Sequence, residues 1–246
     1  MKNWTLHTNC PEARIVFQTL ETVFKLNGEQ ITCDRLSDLI FLNVGGKNYY
    51  VKRYTLAGKG IRRFLGRSRL RGEWENLLRF NTWGLPTAKL IAYGAEKHGP
   101  FFTRGALITE ELPRTQDLAE LAKENDPRLR DSNWIGSISE QLAKATRKMH
   151  ENRFAHGDLK WRNILVAKGP NPQIHLIDCP DGRHWTWPFL QYRKNKDLAC
   201  LDKVAKKVLT RTQRLRFFLD YLEQDHLSSA SQKQLRHIIR FFDGRE

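Results

Sequence analysis

Long hydrophobic runs are missing from this chain. Residues 39–42 form one of its longest apolar stretches, far short of the ~18 residues that a membrane-crossing helix needs. The opening residues, MKNWTLHTNCPEARIVF, hold no continuous apolar segment and no small-residue cleavage site, so they do not read as a signal peptide and the expected compartment is the cytoplasm. Cysteine is scarce: Cys10, Cys33, Cys179 and Cys200 are widely spaced and make no CxxC pair, which excludes a disulfide framework or a zinc site as an expectation. The histidines show no HExxH spacing. Acidic residues are outnumbered, 27 Asp and Glu against 42 Lys and Arg, for a formal net charge of +15. Such a balance points to an anionic partner: a phosphorylated substrate, an anionic membrane face or nucleic acid. No helix-turn-helix, RRM or zinc-finger pattern accompanies it, so nucleic acid is not expected.

What is present suits a folded enzyme. Apolar residues make up 40% of the chain, enough to bury a substantial core. Ile15, Val16, Leu20, Val23 and Phe24 have the spacing of a short helix within residues 12–25. Residues 31–34, 38–44 and 47–54 then read as strands, rich in β-branched and aromatic residues, with Gly45-Gly46 as a hairpin turn. Residues 70–83 read as a helix with Trp74, Leu77, Leu78 and Phe80 on one face and Gly84 as its stop. Two more strands are expected at 86–93 and 106–109. Beyond Leu112 the pattern turns helical, at 135–149, at 197–209 and around Phe217 and Ile238. Strands first and helices afterwards imply an α+β protein of two lobes, residues 1–111 and 112–246.

The most informative stretch is His156-Gly157-Asp158-Leu159-Lys160-Trp161-Arg162-Asn163, followed by apolar Ile164-Leu165-Val166. It has the form H-x-D-x-x-x-x-N, and Asp178 follows at the end of a second short apolar segment, residues 173–177. This arrangement resembles the catalytic loop and metal-binding strand of the protein-kinase-like superfamily. The resemblance implies a two-lobed kinase-like fold using ATP and Mg²⁺. Phosphoryl transfer through a loose transition state depends on positioning and charge neutralisation. Asp158 suits orientation of the attacking hydroxyl, and Lys160 can place an ammonium on the transferred group. Asn163 and Asp178 offer the hard oxygens that Mg²⁺ prefers.

The same resemblance asks for an ATP-anchoring lysine on the third strand, and Lys52 in Tyr50-Val51-Lys52 meets it. Its expected helix partner is Glu73, with Glu75 the competitor; Glu73 lies four residues before Leu77 on one helical face. No GxGxxG precedes Lys52, so the phosphate-covering loop is expected at Arg35-Leu36-Ser37, using backbone amides and the Ser37 hydroxyl. The adenine-receiving hinge is expected at Glu110-Glu111-Leu112. Asp197 resembles the buried aspartate that braces a kinase catalytic loop, and His150 is read as structural.

No D-F-G or A-P-E is present, and His-Gly-Asp replaces His-Arg-Asp, which argues against a peptide platform and against activation-loop phosphorylation. Gly72-Glu73-Trp74-Glu75, Gly84-Leu85-Pro86-Thr87, Ile91-Ala92-Tyr93-Gly94, Leu107-Ile108-Thr109-Glu110-Glu111-Leu112 and Lys196-Asp197-Leu198-Ala199, with the kinase motifs, resemble the lipopolysaccharide kinase family. That likeness implies phosphorylation of an inner-core sugar, Kdo or heptose, on a lipid-linked acceptor, and His-Gly-Asp-Leu with Asn163 leans toward the Kdo type. Basic and apolar residues interleave across 59–71, so Arg62, Arg63 and Arg67 are expected at the acceptor or at an anionic inner-membrane surface. The competing readings are a compact protein-serine or small-molecule kinase, and a non-catalytic binding module on a kinase-like scaffold.

Overall fold

Period-two alternation in the strand that carries Lys52 puts Tyr49 and Val51 on one face and Lys52 and Tyr54 on the other. Both faces are covered, and the first of two units is built around this strand. A computed structural model describes residues 2–58, 67–169 and 171–244. It divides into one unit of Met1–Thr82 with Thr87–Leu112, and a second of Trp83–Pro86 with Pro113–Glu246.

The first unit holds an antiparallel sheet of β1 (Lys2–Leu6), β2 (Glu29–Cys33), β3 (Ser37–Val44), β4 (Lys47–Tyr54), β5 (Leu90–His98) and β6 (Phe101–Glu110), in the order β1-β5-β6-β4-β3-β2. On the face of Tyr49 and Val51, the short helices α1 (Pro11–Val16) and α2 (Leu20–Phe24) bury Ala13, Phe17, Leu20 and Val23. On the opposite face α3 (Arg69–Thr82) packs Leu70 and Leu77 against Tyr54 and Leu107.

Two expectations need correction here, and one strand was not foreseen. Residues 12–25 are two helices and not one, because Thr19 caps the second: its hydroxyl accepts from the Thr22 amide at 3.1 Å while the Thr22 hydroxyl accepts from the Thr19 amide at 3.2 Å. The strand expected at 86–93 begins later, at Leu90, and runs out to His98, where a long hairpin with β6 carries polar residues that alternation alone did not flag. The edge strand β1 was not foreseen. It pairs Trp4 opposite Gly94, and a Cβ at residue 94 would fall 2.0 Å from the Asn3 carbonyl oxygen, so the close approach of the two backbones requires glycine.

The second unit is mainly helical: α4 (Leu118–Lys123), α5 (Ser132–Glu151), α6 (Phe189–Val208), α7 (Arg211–Leu222) and α8 (Ser229–Ile239). The helix expected at 197–209 starts earlier, at Phe189, directly after Pro188. Two small ladders support the loops, β7 (Thr115–Asp117), β9 (Ile164–Ala167) and β10 (Ile174–Leu176) in the order β10-β9-β7, and β8 (Phe154–Ala155) with β11 (Arg183–His184). The helices enclose a cavity of about 590 Å³ with apolar walls, among them Leu118, Ile138, Leu142 and Phe218. Asp158, Asn163 and Asp178 do not line it.

A buried polar group ties three helices of this unit together. His150 of α5 lies 2.9 Å through Nδ1 from the Tyr221 hydroxyl of α7 and 3.4 Å through Nε2 from the Asp197 carboxylate of α6. Burial pushes the His150 pKa down and the Tyr221 phenol up, with the Asp197 charge opposing the first shift and adding to the second. His150 is therefore neutral in the folded protein at pH values where an unfolded histidine takes a proton. The sign follows: the unfolded state binds more protons below its histidine pKa of about 6.5, so stability falls as pH drops through that value, by up to ~1.4 kcal/mol per unit. Thermal melts between pH 7.5 and 5 should show a falling midpoint, and His150→Gln should flatten that slope. An unchanged slope in the variant would exclude His150 as a contributor.

Candidate functional site

In the first unit, the strand face that points toward α3 carries Lys52. Its Nζ donates to both oxygens of Glu73, each at 3.0 Å. Glu73 is only 5% exposed, and a buried carboxylate is tolerable when its lone pairs are met. A third hydrogen bond meets them: the Tyr54 hydroxyl donates to Glu73 Oε2 at 2.5 Å. Burial, with the Glu73 charge next, holds the Tyr54 phenol well above its usual pKa, so it remains a donor. Tyr54 was not singled out from the sequence, although its place two residues beyond Lys52 put both side chains on one face. Glu75, the competitor, turns instead to Arg71 at 2.6 Å and Arg67 at 2.9 Å.

Arg67 is further engaged through Nη2, with the Gly72 carbonyl at 2.9 Å and Asn76 Oδ1 at 3.1 Å, so its guanidinium braces the start of α3. Arg62 and Arg63 lie outside the described residues. The turn expected to cover phosphates is closed by Asp34, whose Oδ1 accepts the amides of Leu36 at 2.6 Å and Ser37 at 2.9 Å. Those two donors of the loop thus already have a carboxylate acceptor, while the Ser37 residue itself opens β3. At the other end of the sheet Glu110 closes β6, its carboxylate 3.3 Å from Lys47 and 3.6 Å from Lys89. Glu111 continues the pairing, donating its amide to Asn48 O at 2.9 Å, and the unit ends at Leu112.

In the second unit, residues 156–163 form a loop closed on itself. The Asp158 carbonyl accepts the Lys160 amide and the Asn163 side-chain amide, both at 2.9 Å. The Asn163 carbonyl in turn accepts the Ile177 amide at 3.0 Å, which ties the loop to the segment carrying Asp178. The Asp158 carboxylate pairs with Lys160 Nζ at 2.6 Å and lies 3.6 Å from Arg162. Asp178 adopts φ = +54°, a left-handed conformation costing of order 1–3 kcal/mol for a residue with a side chain, of the kind that collects at functional sites.

Asp197 sets the position of this loop. Its Oδ2 accepts the His156 amide at 2.7 Å and its Oδ1 the Gly157 amide at 2.9 Å. The neighbouring Lys196 donates from Nζ to the Gly157 carbonyl at 2.8 Å. Both polar groups of one loop residue are therefore held by consecutive residues of α6. Burial drives the His156 pKa down, against the charges of Asp197, Asp158 and Asp178.

The donor set fits Mg²⁺. Because the Asn163 amide nitrogen is committed to a carbonyl, its Oδ1 is the ligand atom available, and Asp178 adds a carboxylate. Among the described residues no group of three or more His, Cys, Asp or Glu could hold an ion by itself. Mg²⁺ commonly takes one or two protein oxygens and completes its octahedron with waters and substrate phosphates.

Comparisons with known proteins bear on the chain as a whole. The Lipopolysaccharide core heptose(I) kinase WaaP of Pseudomonas aeruginosa is 27% identical over 209 residues, covering 80% of this chain and 74% of that protein. The 3-deoxy-D-manno-octulosonic acid kinase of Mannheimia succiniciproducens is 31% identical over 147 residues, 57% of this chain and 58% of that protein. The solved structure of WaaP in complex with acyl carrier protein superposes with a TM-score of 0.75 at 23% identity, over 97% of each chain, and shares the kinase-like α+β fold. A family model matches residues 19–221, and the chain belongs to the Lipopolysaccharide kinase (Kdo/WaaP) family.

Proposed function

We propose that this chain transfers the terminal phosphoryl group of ATP to a hydroxyl of the lipopolysaccharide inner core, with Kdo as the sugar. The observation that carries the reading is the closed catalytic loop, in which Asn163 clasps the Asp158 backbone and leaves the Asp158 carboxylate beside Lys160. The Kdo assignment is supported by His-Gly-Asp-Leu at residues 156–159 and by the 31% identity to a relative named for that acid.

Asp158 accepts the proton of the sugar hydroxyl as its oxygen attacks the γ-phosphorus. The bond to the β-phosphate oxygen breaks, ADP leaves with the electron pair, and the proton passes from Asp158 to solvent. Lys160 neutralises charge on the moving phosphoryl group. Lys52, oriented by Glu73 and Tyr54, supplies an ammonium to the nucleotide phosphates, and the Glu110–Leu112 segment receives the base. Asn163 and Asp178 would hold Mg²⁺, which when bound would neutralise charge on the phosphate oxygens.

The same reading places the enzyme at the cytoplasmic face of an inner membrane, as a peripheral protein. No helix among the described residues is long and apolar enough to cross a membrane. The support is the net charge of +15, together with Trp187 and Phe189, which are 83% and 62% exposed.

Three outcomes are expected. Label from γ-phosphate-labelled ATP should pass to the Kdo–lipid A precursor, and Asp158→Ala should lower turnover by ~10²–10⁴ with nucleotide affinity kept; near-normal turnover would remove Asp158 from its role. Asp178→Ala should raise the Mg²⁺ concentration needed for residual transfer, read from a metal titration, and an unaltered titration would place the metal elsewhere. In liposome flotation the protein should rise with anionic vesicles and far less with neutral ones, while equal recovery would refute an electrostatic attachment.

A further inference from the structure

A phosphotransferase acting on an acidic sugar meets an electrostatic difficulty at its own catalytic carboxylate. The reacting hydroxyl must come within ~2.6–3.2 Å of Asp158 to give up its proton. A carboxyl group on the same sugar ring then stands no more than a ring's width from the Asp158 charge and from the phosphates of ATP. Like charges brought so close in a partly desolvated site repel unless a cation stands between them.

The catalytic loop carries two cations beside Asp158. Lys160 takes one carboxylate oxygen, Oδ1, at 2.6 Å, and the proposed reaction already assigns its ammonium to the moving phosphoryl group. Arg162 is the other. Its Nη2 lies 3.6 Å from Asp158 Oδ2, a charge contact longer than the ~2.7–3.2 Å of an N–H···O hydrogen bond. The side chain is 63% exposed, and it has no further polar partner among the described residues. The N–H donors of its guanidinium are therefore open to a ligand.

The loop fixes where this side chain starts, although its tip is in solvent. Residues 161–163 form one tight turn, closed by the Asn163 amide donating to the Lys160 carbonyl at 2.9 Å. Both neighbours of Arg162 are buried and anchored. The Trp161 indole nitrogen donates to the Leu201 carbonyl at 2.9 Å, and the Asn163 side-chain amide donates to the Asp158 carbonyl at 2.9 Å. With residues 161 and 163 facing inward, Arg162 is turned outward on the side of the Asp158 carboxylate. Stability gains little from such a contact, because exposed ion pairs contribute little to folding.

We propose that Arg162 is an acceptor-binding residue: it recognises the carboxylate of the acidic sugar whose hydroxyl is presented to Asp158. The assignment rests on the reading of the chain as a kinase of an octulosonic acid. A planar guanidinium matches a carboxylate with two parallel hydrogen bonds, so it fixes the turn of the sugar as well as balancing its charge. The bound acid becomes a second anionic partner of Arg162 beside Asp158, and the guanidinium separates the two negative charges. A neutral heptose brings no such group, so Arg162 would set specificity between the two sugars of the family. It would do so through acceptor binding, and the phosphoryl step keeps the groups already assigned to it.

The test crosses one residue with one substituent. Full-length wild type, Arg162→Gln and Arg162→Lys are titrated with the Kdo–lipid A precursor in detergent micelles, its carboxyl methyl ester, and its dephosphorylated form. Wild type should bind the free acid at least ~10-fold more tightly than the ester, the worth of a charge-assisted pair. Arg162→Gln should bring acid and ester within about two-fold by weakening the acid alone, with KM for ATP unchanged. Arg162→Lys should keep part of the preference, and removal of the lipid phosphates should leave it in place. Equal weakening of acid and ester in Arg162→Gln would confine the residue to its contact with Asp158 and overturn the assignment. So would an undiminished preference in that variant, no preference in wild type, or affinity that follows the lipid phosphates alone. Thermal melts guard against unfolding, and Arg162→Lys decides the matter if Arg162→Gln does not fold. Phosphoryl transfer is assayed in parallel: its absence in wild type, with the binding preference intact, would refute the proposed function and leave the role of Arg162 standing.

Discussion

A carboxylate with no exposed surface, Asp197, holds the chemistry of the second unit in place. Burying a charge is costly unless its oxygens are filled, and here two consecutive backbone amides and a histidine fill them. Because those amides belong to His156 and Gly157, satisfying the carboxylate and shaping the catalytic loop are one event. Helix α5 contributes His150, α6 contributes Asp197 and Lys196, and α7 contributes Tyr221, so the helical core and the loop fold together. Main-chain groups of the loop find partners that a surface loop would seek in water.

The first unit solves a similar problem with different groups. Glu73 is buried on α3, and its oxygens are taken by an ammonium and a phenol from one face of β4. Packing of Leu70 and Leu77 against Tyr54 and Leu107 fixes the distance between that helix and the sheet. The ion pair is therefore a consequence of apolar packing as much as of charge. A lysine whose stem lies along an apolar strand and whose tip meets a buried carboxylate is held in one place.

Much of this was legible in the sequence where local signals were strong. Strands β3 and β4 with their Gly-Gly turn, and helix α3 with Gly84 at its end, followed from alternation and periodicity. The choice of Glu73 over Glu75 followed from helical phase, because only one of them shares a face with Leu77. What stayed hidden depended on partners distant in sequence. Strand β1 exists because Gly94 lets Asn3 approach, and nothing within residues 2–6 announces it. The break before α2 turned on the paired hydroxyls of Thr19 and Thr22, which outweighed a continuous apolar spacing. The Asp34 turn was invisible because its carboxylate serves amides that a glycine-rich loop would have left open.

Gly157 carries a final consequence. Its φ of +81° lies where a side chain is strained by backbone sterics, although a Cβ there would meet Asp181 only at an ordinary 3.5 Å. In His-Arg-Asp kinases the position beside the catalytic aspartate is an arginine, and in many kinases a phosphate added to the activation segment orders it through arginine contacts. A residue with a long side chain at 157 would have to hold a left-handed backbone while Asp197 and Lys196 grip both its polar groups. Glycine takes that backbone without strain, and with no arginine at 157 one common electrostatic route by which a cell turns a phosphotransferase on lacks its anchor at that position.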